Sequence, residues 1–449
     1  MARSKTALRE SLLSPTIEQA REIPFYASLW SSADVPADSH EWDVTTLDRI
    51  PVITKESPGG GAGAVLHPGR KATMVIRSSG STGRPFVRYR GPEELRAYAD
   101  FGTAIRKAAA ERGAGAAAPT VHASLLTTRT HASLLGTAGA DRTLSLALVD
   151  GNDLERALDL LAADPLFPGL DGAVVDLTGN PGDLMLLGAG LARRGLIRDG
   201  FITRVVVVSD YLSPLIRDYL RSVFGPGTDI VERYSMSEVV GGATVCPACD
   251  AMHFDPVVVP QVVALDGDSP VAGGIGRMVL TELYPFSQVQ PLIRYDNGDL
   301  VERVAGGCEP DEVTVSFVGR RAETPVAREG GRTRVVLRPR ALRDALERFT
   351  EIARPPLHQR IASPLHGGAP LVSTEWTADG PVRIAVRAVP AFDPNLFPAA
   401  AGQLRDRLHA AVLGCCPEIG TAVAGGAGEV SVELEPDRAR VAGFTVRRG

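Results

Sequence analysis

Lysine is scarce in this sequence. Lysine and arginine together number 48 among 449 residues, yet the only lysines are Lys5, Lys55, Lys71 and Lys107. A chemical step that needs the compact ammonium of lysine therefore has no candidate beyond residue 107. Arginine would have to replace it there, and the guanidinium is a broad planar fork rather than a point charge.

Long apolar runs and cysteines are also few. No apolar stretch reaches the roughly 20 residues that a membrane-spanning helix needs, and residues 1–22 lack the apolar region of a signal peptide. Five cysteines argue against a scaffold built on disulfides. We therefore expect a cytoplasmic protein without a membrane partner.

Charge and size narrow the possibilities further. The formal net charge of −5 gives no electrostatic reason to expect a nucleic-acid partner. With 44% hydrophobic residues the chain can bury a large core, and its length predicts two or three domains.

The first informative motif is a hydroxyl-rich segment that follows the apolar, strand-like run 72–77. Glycine N–H groups, side-chain hydroxyls and a guanidinium suit the binding of phosphate. The candidate phosphate-binding residues are Ser78, Ser79, Gly80, Ser81, Thr82, Gly83 and Arg84. The segment lacks the spacing of the Walker loop, and a Ser/Gly run of this kind can also be a plain linker.

Three further motifs follow in a fixed order. They are Tyr234-Ser235-Met236-Ser237-Glu238, then Ile293-Arg294-Tyr295-Asp296-Asn297-Gly298-Asp299, and finally Phe317-Val318-Gly319-Arg320. Their order and spacing resemble the adenylate-forming enzymes, the superfamily of acyl-CoA synthetases, luciferases and nonribosomal adenylation domains. The opening segments 23–30 and 47–55 resemble the phenylacetate-CoA ligase branch of that superfamily.

The resemblance implies a site for ATP and Mg²⁺ in which each motif has a role. The hydroxyl-rich segment would hold the β- and γ-phosphates, and Tyr234 would stack on adenine with Ser235 beside it. Ser237 would contact the α-phosphate, and Glu238 would bind Mg²⁺, which prefers carboxylates and phosphate oxygens. The remaining implied contacts are Asp299 with the ribose hydroxyls and Arg320 with the ribose and phosphate. Taken singly, Glu238 can also be a solvated charge and Asp299 a turn residue.

Segment patterns predict an α/β fold. Strand-like runs alternate with amphipathic helical patterns, which predicts βαβ units with a parallel sheet buried on both faces. The strand-like runs lie at 121–126, 173–177 and 204–208, and the helical patterns at 92–112, 153–163, 182–195 and 212–223.

The second half of the chain predicts a change of architecture. Strand-like runs follow one another from residue 257 to 318, which predicts a β-rich subdomain. Beyond Arg320, a helix near 401–413 between two strand-like runs predicts a small α+β domain. With the resemblance, this gives a large N-terminal adenylate-forming domain of mixed and parallel sheets over residues 1–319, and a small mobile C-terminal domain over 320–449.

A Cys-x-x-Cys pair marks a second candidate site. Cys246 and Cys249 precede His253 on one short segment, and Cys308 lies farther along, before the last strand of the β-rich part. Three thiolates and an imidazole are the ligand set of a closed, structural zinc site. Buried cysteines without a metal, or a redox-active pair, are the alternatives.

The C-terminal tail departs from the family pattern. Phe444 stands where the resemblance implies a catalytic lysine, and Arg447 or Arg448 is a candidate to replace that cation. The first hypothesis is an enzyme that adenylates a small aromatic or apolar carboxylic acid and transfers it to CoA, a carrier thiol or an amine. The second is a modified half-reaction, such as amide formation or diazotase-like activation of an oxyacid. The third is a pseudoenzyme that keeps the fold.

Overall fold

The structure is a computed structural model. It describes residues 5–36, 42–58, 62–77, 86–112, 120–126, 142–148, 150–163, 165–166, 169, 173–305, 308, 312–355, 369–378, 381–441 and 443–448.

The described residues form nine α-helices. Their bounds are α1 Lys5–Arg21, α2 Pro24–Ser32, α3 Pro92–Arg112, α4 Gly151–Ala162, α5 Pro181–Arg193, α6 Pro214–Phe224, α7 Pro339–Glu347, α8 Pro398–Gly414 and α9 Pro417–Ala424. The sequence predicted α3 to α6 and α8. None of these described helices is long and apolar enough to cross a membrane.

Short polar side chains fix where several helices begin. Asp150 caps α4 by accepting the Asp153 N–H at 3.0 Å, and the Asp153 side chain accepts the Asp150 N–H in return. Asn180 accepts the N–H of Asp183 at the start of α5 in the same way, at 2.9 Å. Ser213 caps α6, which like α5 has proline in its first turn. Such caps satisfy N–H groups that have no partner within the helix.

One large sheet forms the body of the molecule. Its strands, in spatial order, are β10 Val258–Val263, β11 Gly274–Glu282, β12 Tyr295–Arg303, β13 Val315–Arg320, β9 Met252–Phe254, β8 Gly242–Val245, β7 Asp229–Ser235, β6 Ile202–Val207, β5 Val174–Gly179, β3 Thr120–Leu126 and β4 Thr143–Ala147. The run from β7 to β4 is parallel, and the pairings from β7 to β10 are antiparallel. The predicted α/β part and the predicted β-rich part are therefore both present, joined in one sheet.

The parallel strands are buried unequally on their two faces. Along β5, fully buried residues alternate with half-buried ones, and α4, α5 and α6 share an apolar core with the fully buried face. The sequence predicted burial on both faces. Among the described residues that prediction holds fully only for the face that these three helices cover.

The C-terminal part has a sheet and a core of its own. The strands are β14 Val326–Glu329 and β15 Arg332–Val335, which form a hairpin, and then β16 Val372–Thr377, β17 Val382–Ala388, β18 Gly428–Leu434 and β19 Phe444–Arg448. The last four form a sheet in the order β18-β17-β16-β19, and α8 and α9 pack on β18. An apolar cluster joins this sheet to α7, α8 and α9.

A small hairpin completes the described fold. β1 Met74–Arg77 and β2 Val87–Arg90 pair antiparallel, with Arg77 opposite Val87. The candidate phosphate-binding residues 78–84 stand between these two strands in the sequence and lie outside the described residues.

Candidate functional site

Tyr234 and Asp299 meet in space although 65 residues separate them in the chain. The Tyr234 hydroxyl donates to Asp299 Oδ2 at 2.6 Å. The Asn297 amide donates to the same carboxylate oxygen at 2.9 Å and to the Tyr234 oxygen at 2.5 Å. The structure therefore joins the second and third sequence motifs into one polar cluster.

The backbone around Asp299 is shaped by side chains of its own segment. Asp296 Oδ1 accepts the N–H of Gly298 at 2.8 Å, and Asn297 Oδ1 accepts the N–H of Asp299 at 3.1 Å. Gly298 has φ of 84°, in the left-handed region that glycine adopts without strain. These contacts turn the segment so that the Asp299 carboxylate reaches Tyr234.

Arg320 lies opposite Asp299 where β12 and β13 pair. Burial raises the pKa of the Asp299 carboxyl to about 6, although the hydrogen bond from Tyr234 and the charge of Arg320 act against this rise. Glu238 raises the same pKa by its negative charge, which places it within electrostatic reach of Asp299. The fourth motif and the candidate magnesium ligand thus belong to the same neighbourhood.

The Tyr234 ring packs among aromatic side chains. Its centroid lies 6.2 Å from those of Phe254 and Phe317. Burial raises the pKa of the Tyr234 hydroxyl well above its usual value, and the Asp299 charge adds to the rise. Gly242, on the neighbouring strand β8, lies close to the Tyr234 backbone. A Cβ added to Gly242 would lie 2.1 Å from the Tyr234 carbonyl oxygen.

The other residues of the second motif follow Tyr234 closely. Ser235 ends β7 and is exposed, whereas Ser237 and Glu238 lie half-buried in the bend after the strand. Glu238 also raises the pKa of the Tyr295 hydroxyl, after the larger effect of burial. Its carboxylate is an oxygen ligand of the kind that Mg²⁺ prefers.

Phe444 and Arg447 lie on different faces of β19. Phe444 is buried in the C-terminal core, whereas Arg447 is exposed. Burial raises the pKa of the Glu323 carboxyl, and Arg320 and Arg447 both lower it in part. Arg447 and Arg320 thus act on the same carboxyl, that of Glu323, whereas the Phe444 side chain is enclosed in the apolar core of the C-terminal part.

Helix α7 brings the C-terminal part against the larger sheet. The Tyr211 hydroxyl donates to the Asp344 carboxylate, with oxygen distances of 2.8 and 2.7 Å. The Arg340 guanidinium carbon lies 3.9 Å from the Tyr211 ring centroid, and Arg340 Nη2 lies 3.3 Å from the Glu232 carboxylate. Arg343 pairs with Asp210 at 3.1 Å. These contacts hold α7 beside β7, the strand that ends at Ser235.

The four candidate zinc ligands come together. Their ligand atoms all lie within 4.8 Å of one another. The Sγ atoms of Cys246 and Cys249 lie 3.6 and 3.7 Å from that of Cys308, and His253 Nε2 lies 3.1 Å from Cys249 Sγ and 3.4 Å from Cys308 Sγ. Tetrahedral zinc with ordinary bond lengths has S···S edges of about 3.8 Å and S···N edges of about 3.6 Å.

A tight turn presents the Cys-x-x-Cys pair. The Asp250 N–H donates to the Cys246 carbonyl at 2.8 Å, and the Cys246 N–H donates to the Ala251 carbonyl at 2.9 Å. Asp250 adopts a left-handed conformation with φ of 51°, and His253 follows in the short strand β9. The donor set and its spacing fit a zinc ion.

The fold has known counterparts. No family model and no curated relative matches the sequence. A structure of 2-hydroxyisobutyryl-CoA ligase, in the postadenylation state with 2-HIB-AMP, matches 99% of this chain and 88% of its own at 18% identity and a TM-score of 0.66. The chain has the adenylate-forming fold. In the thioesterification state, with 2-HIB-AMP and CoA, the same ligase matches 96% of this chain and 86% of its own at 18% identity and a TM-score of 0.55.

A second kind of enzyme shares the adenylate-forming fold with this chain. An amide bond synthetase mutant from Marinactinospora thermotolerans matches 83% of this chain and 67% of its own, at 14% identity and a TM-score of 0.50.

The structure adds site residues that the sequence motifs did not single out. Asn297 contacts both Tyr234 and Asp299. The sequence indicates this role only by placing Asn297 within the third motif, between Asp296 and Gly298. Arg340 joins the C-terminal part to Tyr211, which precedes α6, and to Glu232 of β7. They lie outside all four motifs, and only the fold brings them together.

Proposed function

We propose that this protein uses ATP and Mg²⁺ to activate a small carboxylic acid, aromatic or otherwise apolar, as an acyl-adenylate. The acid's carboxylate oxygen attacks the α-phosphorus, the bond to the bridging oxygen breaks, and pyrophosphate leaves. The sulfur of CoA or of a carrier thiol, or an amine nitrogen, then attacks the acyl carbon and AMP leaves. The observation that carries this proposal is the contact of Tyr234 and Asn297 with Asp299, in an adenylate-forming fold.

Each residue role follows from the chemistry of its side chain. Asp299 accepts the ribose hydroxyls, because an ionised carboxylate is an acceptor only. Glu238 binds Mg²⁺, Ser237 contacts the α-phosphate, and the Tyr234 ring faces adenine with Ser235 beside it. Arg320 binds near the ribose and phosphate, and the hydroxyl-rich segment 78–84 receives the β- and γ-phosphates. An apolar acid is supported by the Phe86 ring, 5.9 Å from that of Tyr295, which itself lies within reach of the Glu238 charge.

The C-terminal domain supplies the missing cation in this proposal. We place its boundary between residues 319 and 320, one residue before the end of β13, which is the last strand of the large sheet along the chain. Arg447 stabilises the charge that develops on the transferring phosphoryl group, in place of a lysine. Its exposure on β19 and its electrostatic link to Glu323 support this role.

A modified half-reaction is the alternative that the sequence favours. No lysine follows Lys107, so the usual cation is replaced or dispensed with. Amide formation, or activation of an oxyacid in a diazotase-like reaction, would use the same nucleotide site. A pseudoenzyme would keep the fold and show no turnover with any acid.

We also propose that Cys246, Cys249, His253 and Cys308 hold one structural zinc ion. Four protein ligands leave no position for a water, so the ion would stabilise the loop and take no part in the reaction. The interatomic distances around the four ligands support this assignment.

Calorimetric titration with MgATP tests the nucleotide site directly. We expect the wild-type protein to bind and Asp299→Ala to bind much more weakly, since it loses the acceptor for the ribose. Glu238→Gln should weaken the dependence on Mg²⁺. If wild type and Asp299→Ala bind MgATP equally, the ribose site is elsewhere, and if neither binds, the enzyme proposal fails.

A further inference from the structure

Glu282 lies at the centre of a buried charge cluster. Glu282 is the last residue of β11, and its side chain is 0% exposed. The side chains of Arg88 and Arg90 are 1% and 0% exposed. Arg88 contacts Glu282 Oε2 at 2.5 Å, and Arg90 contacts Oε1 at 3.1 Å. A charge so far from water is tolerated only when it is paired and hydrogen-bonded.

The Glu282 carboxylate also accepts backbone hydrogen bonds from two other segments. Oε1 accepts the Val240 N–H at 2.7 Å, and Oε2 accepts the Leu292 N–H at 3.1 Å. Val240 follows the candidate magnesium ligand Glu238 by two residues, and Leu292 stands immediately before the motif 293–299.

The two arginines bring a third segment to the same carboxylate. Arg88 and Arg90 lie on β2, which follows the candidate phosphate-binding residues in the sequence. Ser287 also belongs to the cluster: its hydroxyl donates to Glu282 Oε2 at 3.0 Å and accepts from Arg88 Nη2 at 2.9 Å. One carboxylate thus connects three stretches of chain that each belong to a nucleotide motif or adjoin one.

A second carboxylate balances the charge of the cluster. Glu94 Oε1 lies 3.8 Å from Arg90 Nη1, and Glu94 Oε2 accepts the backbone N–H groups of Gln288 at 2.6 Å and Val289 at 3.1 Å. Burial by itself raises the pKa of Glu282, but Arg88 and Arg90 outweigh it and the pKa is lowered. Glu282 is therefore ionised at neutral pH.

We propose that Glu282 is a positioning residue of the nucleotide site, which fixes β2, the bend after Glu238 and the start of the motif 293–299 against one another. It acts through the backbone atoms of Val240 and Leu292 and through the two arginines, not by contact with the reacting atoms. This inference rests on the proposed function, because it concerns how that site is held in shape. Misplacement by about 1 Å can cost on the order of a hundredfold in rate.

Glu282→Gln tests the proposal, with Glu312→Gln as its matched control. Glu312 pairs with Arg9 in a bridge that is also buried, at 7% and 5% exposure, and its carboxylate contacts Arg9 and Thr6 of α1. Each variant loses one buried carboxylate of an ion pair and keeps its size. We would measure the Kd for MgATP by calorimetry at 20 °C and the unfolding midpoint of each variant by thermal denaturation.

We expect Glu282→Gln to weaken MgATP binding on the order of tenfold or more, because apparent affinity falls with the population of the binding-competent site. Glu312→Gln should lower the unfolding midpoint without changing the Kd. Arg88→Lys is the second variant, because lysine keeps the charge but cannot contact Glu282 and Ser287 through a forked guanidinium. It should weaken MgATP binding in the same direction and keep the protein folded.

The outcomes separate this inference from the proposed function. If Glu282→Gln binds MgATP with the wild-type Kd, the cluster is merely structural, and this inference fails while the proposed function stands. Arg88→Lys decides the same question if Glu282→Gln does not fold. If Glu312→Gln weakens MgATP binding as much as Glu282→Gln, the effect is general destabilisation and the inference fails too. If the wild-type protein binds no MgATP, the proposed function fails and takes this inference with it.

Discussion

At the scale of single residues, burial and hydrogen bonding act in opposite directions on the carboxyl pKa of Asp299. Its carboxylate accepts hydrogen bonds from Tyr234 and Asn297, yet burial keeps its pKa near 6 rather than at the usual 3.8. The ionised form, which suits ribose hydroxyls, is therefore the costly form in the absence of nucleotide.

We predict that MgATP binding weakens as the pH falls through about 6, because Asp299 takes up a proton there. The effect on stability has the opposite sign. The folded protein holds this proton more tightly than the unfolded chain, so the contribution of Asp299 to the free energy of unfolding is largest below about pH 3.8 and is lost as the pH rises to about 6. Calorimetric titration with MgATP between pH 5 and 8 measures the first effect. Asp299→Asn should remove this step, and a wild-type affinity that is flat across the range would contradict the prediction.

Gly242 supplies a second prediction at the residue scale. An alanine Cβ there would lie 2.1 Å from the Tyr234 carbonyl oxygen, so β7 or β8 must shift. We expect Gly242→Ala to destabilise the protein by about 1–3 kcal/mol, as overpacking typically does, and to weaken nucleotide binding through Tyr234. Chemical denaturation and MgATP titration measure the two effects. Gly267→Ala is the control, since its Cβ meets no atom within 4 Å, and equal behaviour of the two variants would refute the argument.

At the scale of elements, local patterns in the sequence predicted much of the fold. The α/β alternation, the β-rich region and the C-terminal helix all appear, because amphipathic periods and short apolar runs are local signals. The order of the motifs also predicted that Tyr234 and Asp299 belong to one site. Their hydrogen bond depends on the pairing of distant strands within one sheet, which no local pattern records.

The buried cluster around Glu282 shows why the rest was not predictable. In β2, the alternation Val-Arg-Tyr-Arg resembles a strand with its charged residues in solvent. In the structure the arginines are the buried residues, and Val87 and Tyr89 are half-buried. The face that a charged residue occupies depends on whether a carboxylate from another segment, here Glu282, pairs with it. That pairing is a tertiary contact.

The loop between β8 and β9 carries a prediction of its own. We expect one zinc ion per chain by metal analysis, and loss of the ion in Cys246→Ser. Because the binding energy of a structural zinc is folding energy, this variant should unfold at lower denaturant concentration. Cys415→Ser is the control, since Cys415 lies in the C-terminal part and outside the four-residue cluster. Stable wild-type protein with well under one zinc per chain would show that the cluster holds no structural zinc.

At the scale of the whole molecule, the C-terminal part meets the proposed nucleotide site at two places. Helix α7 contacts Tyr211 and Glu232, and β19 packs near residues 321–323, which follow Arg320. This arrangement sets Arg447, on the exposed face of β19, within electrostatic reach of Glu323. Phe444 lies in the apolar core of the C-terminal part, so a lysine at that position would test packing rather than catalysis.

We predict that Arg447→Ala slows adenylation by about 10²–10³-fold, the usual cost of removing one group that stabilises charge in a transition state. Arg448→Ala removes the same charge from the next residue of β19, whose guanidinium lies 5.5 Å from the Trp376 ring, and should have little effect. Rates of acid-dependent pyrophosphate exchange measure both variants. Equal, small effects would show that another group acts on the phosphate.

Acid-dependent exchange of pyrophosphate into ATP, measured over a panel of small aromatic and aliphatic acids, tests acyl-adenylate formation itself. We expect exchange that requires Mg²⁺ and one class of acid, and that falls sharply in Glu238→Gln and Asp299→Ala. An absence of exchange with every acid, in folded protein that binds MgATP, would contradict adenylation and leave a nucleotide-binding protein with the adenylate-forming fold.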